Sequence, residues 1–115
     1  MSLDKYIDQI IEGNCVEVMK QFDDEVIDLT VTSPPYDNLR NYKGFVFPFE
    51  DIAKELYRVT KKGGVVVWVV NDATIEGNET GTSFKQALYF QEIGFNLHDT
   101  MIFRKTNPIP QIYRK

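Results

Sequence analysis

Within the run T-S-P-P-Y, four consecutive residues bring together types that can act on a ligand: Ser33, Pro34, Pro35 and Tyr36. The two prolines stiffen the backbone, because neither has an N–H to donate and each drives the residue before it towards extended geometry. On that rigid turn the Ser33 hydroxyl and the Pro34 carbonyl are hydrogen-bond acceptors. Such acceptors suit an exocyclic amino group on a nucleobase, a poor nucleophile whose lone pair is delocalised into the ring. Held through its N–H bonds, the nitrogen sits nearer to tetrahedral, and the acceptors take up charge as it attacks. Tyr36 adds an aromatic face that can stack on a base swung out of a duplex. The plainer alternative is a strand that ends in a Pro-Pro turn, with Tyr36 capping the core.

The turn needs an element to hold it. Residues 26–31 crowd apolar β-formers (Val26, Ile27, Leu29, Val31), as a buried strand of a parallel sheet does. A loop at the carboxyl end of such a strand is where open α/β sheets bind ligands. Upstream, residues 6–12 predict a short strand running into Gly13-Asn14. Either of these opens a short helix over residues 15–22, and Asp23-Asp24 breaks it.

Downstream, residues 36–47 lack a clean period and interleave Tyr42, Phe45 and Phe47 with Arg40 and Lys43. Aromatic and basic residues beside the turn suit a clamp on nucleic-acid phosphates and a displaced base, with Arg40, Tyr42 and Lys43 as contacts. Simple packing of Phe45 and Phe47 under the next helix is the competing expectation.

Residues 48–62 predict the clearest helix, with Phe49, Ile52, Ala53, Leu56 and Val59 or Thr60 along one face. Lys61 and Lys62 fall in its expected last turn, and Gly63-Gly64 is its expected stop. Residues 65–71 (V-V-V-W-V-V-N) read as an interior strand covered on both faces, ending at Asn71-Asp72; Asp72 is either a pocket or a turn residue. Residues 76–82 form a polar, glycine-rich loop. Ser83-x-x-Gln86 reads as a capping box opening a helix to about Ile93, with Phe84, Ala87, Leu88 and Gln91 on one side and Gly94 as its stop. Residues 96–105 alternate well enough for a further strand, and the tail is proline-punctuated and basic. Strand and helix alternate with short connections. The prediction is an α/β fold in one domain, residues 1–115: a partial, mostly parallel sheet of about four strands with three helices.

Composition narrows the function classes. Seventeen acidic against thirteen basic residues give a net charge of −4, so overall charge lends no support to nucleic-acid binding, and such contact has to come from a local patch. Cys15 is the single cysteine and His98 the single histidine, which excludes an internal disulfide, a cysteine-built metal site and most histidine-based hydrolase schemes; no metal is expected. The longest apolar run is too short to span a membrane, and the first residues have no signal-peptide core, which predicts a cytoplasmic protein.

T-S-P-P-Y after V-I-D-L resembles the catalytic motif of the DNA amino-methyltransferases, (Asp/Asn/Ser)-Pro-Pro-(Tyr/Phe). The resemblance extends through Gly13-Asn14-Cys15, K-K-G-G, V-V-V-W-V-V and G-F-N-L-H-D-T-M-I-F-R-K, in the β arrangement where the catalytic motif precedes the cofactor motif. It implies a Rossmann-like sheet, S-adenosylmethionine as methyl donor, and double-stranded DNA as partner. It implies catalytic roles for Ser33, Pro34, Pro35 and Tyr36. It also implies cofactor contacts from Asn14, Cys15 and Ser33, with Asn14 standing where the family often has Asp; a plain helix N-cap is the alternative for Asn14.

Serine at the first motif position favours cytosine N4 over adenine N6 as the target. No F-x-G-x-G loop is present, so the expectation is a truncated catalytic half, inactive alone, that self-associates through its incomplete sheet. A restriction endonuclease partner is a further expectation of the resemblance. Two rival readings stay open: a methyltransferase acting on RNA or a protein amide, and a non-catalytic α/β remnant or interaction domain with an exposed sheet edge.

Overall fold

The computed structural model describes residues 4–34, 47–71 and 74–102. Its elements in chain order are a 3₁₀ turn (Asp4–Tyr6), α1 (Cys15–Met19), β1 (Ile27–Thr32), α2 (Phe49–Val59), β2 (Thr60–Trp68), β3 (Thr74–Ile75), β4 (Asn78–Glu79) and α3 (Thr82–Ile93).

The centre is a β1–α2–β2 unit. Val59 and Ala53, almost wholly buried, lie with Ile52 and Leu56 on the inner face of α2, at the spacing that the sequence predicts. Glu50 and Asp51 occupy its first turn, where the helix dipole favours anions. β1 and β2 pair in parallel, with Leu29, Thr30, Val31 and Thr32 opposite Val65, Val66, Val67 and Trp68. Ahead of β1, the Glu25 and Val26 N–H groups donate to the Arg58 and Val59 carbonyls at the end of α2.

The end of α2 corrects the expectation for Lys61–Lys62 and the two glycines. The helix stops at Val59, because Thr60 turns extended (φ −79°, ψ 130°) and is the ladder partner of Ile27. Its hydroxyl donates back to the Leu56 carbonyl, so a buried polar group is satisfied at the junction. The glycines serve β2 instead. The register slips between Ile27 and Leu29, which leaves residues 61–64 looped out of the pairing. Gly63 takes φ +81°, and a Cβ on Gly64 would lie 2.8 Å from Thr60 Cγ2 and 3.0 Å from the Asp28 carbonyl.

The sheet is smaller than predicted. Residues 7–12 form no strand: Asp8 has φ 59°, and Tyr6 instead packs edge-on against Phe22 and donates its hydroxyl to Gln21. β3 and β4 make a separate antiparallel hairpin around Glu76-Gly77, where both residues have positive φ as a type I′ turn requires. Residues 96–102 form no strand, and 103–105 lie outside the described residues. The fold is α/β, with one parallel pair and three α-helices among the described residues.

Among the described residues, β2 is covered on one face only. The rings packed around Trp68 come from α2, α3 and Phe47, on the side that Thr30, Thr32 and Val66 share. On the other side Leu29, Val31, Val65 and Val69 are exposed. This apolar face is open among the described residues.

Helix α3 ends as predicted. Gly94 (φ 128°) donates to the Gln91 carbonyl and Phe95 to the Phe90 carbonyl, a Schellman stop. Its start and its inner face differ from the prediction. The N-cap is Gly81 (φ 68°), which has no side chain to cap with, and the Gln86 side chain accepts from the Trp68 indole. Phe84 and Leu88 face outward; Gln86, Tyr89, Phe90 and Ile93 face inward, where ring contacts with Phe49 and Trp68 outweigh what Phe84 and Leu88 could bury.

Candidate active site at the carboxyl end of β1

The chain leaves β1 at Thr32 and enters Ser33-Pro34 directly. Val69 N–H donates to the Thr32 carbonyl at 2.9 Å, extending the parallel pairing one residue past Trp68. Pro34 is buried, whereas Ser33 is exposed. A buried proline thus follows an exposed serine at the end of the strand. Ser33 and Pro34, the residues expected to supply the acceptors, directly follow the carboxyl end of β1. Pro35 and Tyr36 lie outside the described residues, as do Arg40, Tyr42, Lys43, Phe45 and Asp72.

Asn14 and Cys15 stand on a different element. Asn14 caps α1: its Oδ1 accepts from Val16 N–H at 2.9 Å and Glu17 N–H at 3.4 Å. The amide N–H₂ end belongs to an exposed residue and can donate to an external acceptor. Cys15 is exposed at the first position of the helix. The predicted helix over 15–22 shortens to Cys15–Met19 and tightens afterwards, with Gln21 and Phe22 donating three residues back to Val18 and Met19.

α1 is tied to the β1–α2–β2 unit by Arg58, a residue that the sequence reading did not single out. Its Nη1 donates to the Phe22 carbonyl (2.8 Å) and to Asp24 (2.8 Å); its Nη2 donates to the Met19 carbonyl (2.6 Å) and to Glu55 (3.0 Å). Nε donates to the second Glu55 oxygen at 3.2 Å. The hydrogen bonds of Glu55, then of Asp24, raise the guanidinium above its ordinary value, so it stays charged. One side chain thus gathers the Phe22 carbonyl and the second lone pair of the Met19 carbonyl, which also accepts from Phe22 N–H, and fixes α1 against α2.

A second missed feature is aromatic. Phe47, Phe49, Trp68, Tyr89, Phe90 and Phe95 form a continuous cluster of ring contacts under the carboxyl ends of the strands, with centroids 5.1 to 6.4 Å apart. The available signal was a glutamine at position 86 in helical step with Tyr89, Phe90 and Ile93, on a chain with one tryptophan. Among the described residues, no three His, Cys, Asp or Glu side chains gather to hold a metal, and no helix is long and apolar enough to cross a membrane.

Comparison with known proteins gives this geometry a context. The chain is 73% identical over 82 residues to the orphan methyltransferase M.BamHII of Bacillus amyloliquefaciens, a match covering 71% of this chain and 31% of that protein. It is 32% identical over 116 aligned positions to the type II beta methyltransferase M.BslI of a Bacillus species, covering 87% of this chain and 13% of that protein. The type II methyltransferase M.BglII of Bacillus subtilis is 30% identical over 73 residues, 57% of this chain and 20% of its own length. The chain thus spans less than a third of the curated relatives it matches. No solved structure matches. Residues 27–115, from the first residue of β1 onward, match the N6/N4 DNA methylases as a family. The chain belongs to the N6/N4 DNA methylase family.

Proposed function

We propose that this chain carries the amino-group site of a DNA methyltransferase, acting on an exocyclic amino nitrogen of a base in double-stranded DNA, with cytosine N4 as the first target and adenine N6 as the second. The observation that carries the reading is the Ser33-Pro34 turn, one acceptor exposed and its neighbour buried, directly after a parallel strand. The β1–α2–β2 unit is read as part of a Rossmann-like sheet.

S-adenosylmethionine, the methyl donor of this family, supplies an electrophilic methyl group when bound. The donor set here suits its acceptor-rich portions: the Asn14 amide N–H₂ and the Ser33 hydroxyl would hold ribose hydroxyls or the carboxylate. Cys15 lies beside Asn14 at the same helix start and would line that contact.

The Ser33 oxygen and the Pro34 carbonyl accept from the two N–H bonds of the target amino group and aim its lone pair away from the ring plane. Positive charge grows on nitrogen during attack, so both hydrogen bonds strengthen towards the transition state, which makes them catalytic as well as binding contacts. The amino proton then passes to water beside Ser33, an exposed residue. A serine is a weaker acceptor than a carboxylate, so the Pro34 carbonyl carries a larger share. Pro35 keeps the turn rigid, Tyr36 stacks on the displaced base, and Arg40, Tyr42 and Lys43 meet the DNA backbone.

The test is nucleoside analysis of duplex DNA incubated with the complete protein and S-adenosylmethionine. N4-methylcytosine is the expected product. N6-methyladenine would correct the base, and an unmodified duplex beside methylated RNA or protein would overturn the reading.

A further inference from the structure

The β3–β4 hairpin stands at the same end of the sheet as Ser33 and Pro34. β2 runs parallel to β1 and closes at Trp68, opposite Thr32, and β3 begins at Thr74, shortly after that carboxyl end. The far side of the hairpin agrees. Helix α3 meets the Trp68 indole through Gln86, and its last residue precedes Gly94, which sits against Tyr57 near the close of α2, on the amino side of the sheet. Thr82, four residues before Gln86, therefore lies about 6 Å beyond the level of that contact, towards the ligand-binding end.

The hairpin itself is tight. Thr74 pairs with Glu79 and Ile75 with Asn78 around Glu76-Gly77. Residues 76–79 are exposed, and a Cβ on Gly77 or Gly81 would meet nothing within 4 Å, so the tip stands clear of the body. Two paired residues and a turn project roughly 10 Å. That matches the DNA major groove, which is about 8.5 Å deep and wide enough for a two-stranded ribbon.

Glu76 is the unusual residue. It holds φ 51° at the first central position of a type I′ turn, where glycine, asparagine and aspartate are the residues that fit without strain. Asparagine would make the same turn more easily. What glutamate adds is a longer side chain that ends in a carboxylate at the outermost point of the ribbon. Residues 74–79 carry no cation, which makes the ribbon unsuited to phosphates. A carboxylate instead matches a base edge, as the acceptor for the 4-amino group of cytosine in the major groove.

We propose that β3–β4 is a base-reading ribbon, in which Glu76 accepts from the N4 amino group of a cytosine in a base pair near the target base. The inference rests on the function proposed above.

The test uses the complete protein and a set of duplexes in which each base pair around the methylated base is varied in turn. Glu76→Asn suits the turn better but withdraws the carboxylate, so Tm should hold or rise. Glu76→Gln keeps the length and presents the donor and acceptor that match adenine. On the duplex with cytosine at the position read, both variants should lose about 10- to 100-fold in kcat/KM, and Glu76→Gln should shift the preference there to adenine. On duplexes without that cytosine, wild type and variants should be alike, and KM for S-adenosylmethionine should be the same throughout.

An unchanged base preference in both variants would overturn the proposal. So would a loss of equal size on every duplex, which is the mark of a role in the turn or in the methyl transfer itself. A wild-type protein that methylates no duplex overturns this inference together with the proposed function. A wild-type protein that methylates DNA, with a preference the variants leave intact, overturns this inference alone.

Discussion

Replacing Arg58 by methionine keeps most of the apolar stem and deletes five hydrogen bonds at once. Their weights differ. Asp24 has a side chain 72% exposed, so that ion pair contributes under about 1 kcal/mol. Glu55 is only 16% exposed, the Phe22 carbonyl accepts from Arg58, and the Met19 carbonyl accepts from Arg58 beside the Phe22 N–H; these three groups hold the larger share. Charge-assisted bonds are worth roughly 1.5–3 kcal/mol each when isolated, but they share one guanidinium that is itself 29% exposed. The whole set is therefore discounted to about 2–3 kcal/mol.

The assay is urea unfolding of wild type, Arg58→Met and Asp24→Ala. Arg58→Met should cost at least twice what Asp24→Ala costs. Equal losses would refute the argument that the carbonyls behind α1 need this cap. The pH dependence has a definite sign. The folded-state value of Arg58 is raised, so its contribution is complete below the unfolded value, already above about 12, and is lost only as pH rises through the folded one. The difference between wild type and Arg58→Met should accordingly be the same at neutral pH and near pH 10.

Ser33→Ala removes one acceptor from the proposed amino-group site and should lower kcat by about 10- to 100-fold with DNA affinity nearly unchanged; radiolabelled methyl transfer checks it. Asn14→Ala should cost about 1 kcal/mol of stability through loss of the α1 cap, read by thermal melting, and should weaken S-adenosylmethionine binding in calorimetry. Gly94→Ala puts a Cβ 2.6 Å from the Tyr57 ring at φ 128°, so Tyr57 must leave its edge contact with Phe95; a loss of about 1–3 kcal/mol in urea unfolding is expected.

Local signals in the sequence stood where the chain decides matters locally. The Ile52, Ala53, Leu56, Val59 stripe, the Asn14 cap and the Gly94 stop each depend on neighbours within a turn or two, and each is found. Decisions made across the chain were not visible. K-K-G-G reads as a helix end, yet Thr60 leaves the helix to pair with Ile27, thirty-three positions earlier, and the glycines then fit the bulge. Positions 84, 87, 88 and 91 satisfy helical spacing as well as 86, 89, 90 and 93 do. The choice between them lies in the rings of Phe49 and Trp68 on other elements. Gln86 is chemically competent for a capping box and for an indole partner, and only the three-dimensional neighbourhood selects the second. At the candidate site, the end of β1 at Thr32 was legible because proline has no N–H to continue the ladder. The Arg58 tie was not, since its carbonyl partners carry no side-chain signature.

The junction at Thr60 also sets where the chain tolerates a change of length. Helix α2 and strand β2 share no connecting loop, so an added residue between Val59 and Thr60 would break the Ile27 pairing and rotate the helix end by about 100°. It would also exchange inward and outward sides along any strand residues that shift with it. Residues 61–63 are different: they are exposed and already looped out of the ladder, and the register restarts at Leu29 opposite Val65. A single inserted or deleted residue there leaves the helix, the aromatic cluster and the Ser33-Pro34 turn in phase. Among the described residues of this unit, length variation between homologous chains should collect at that four-residue slack and be absent one position earlier.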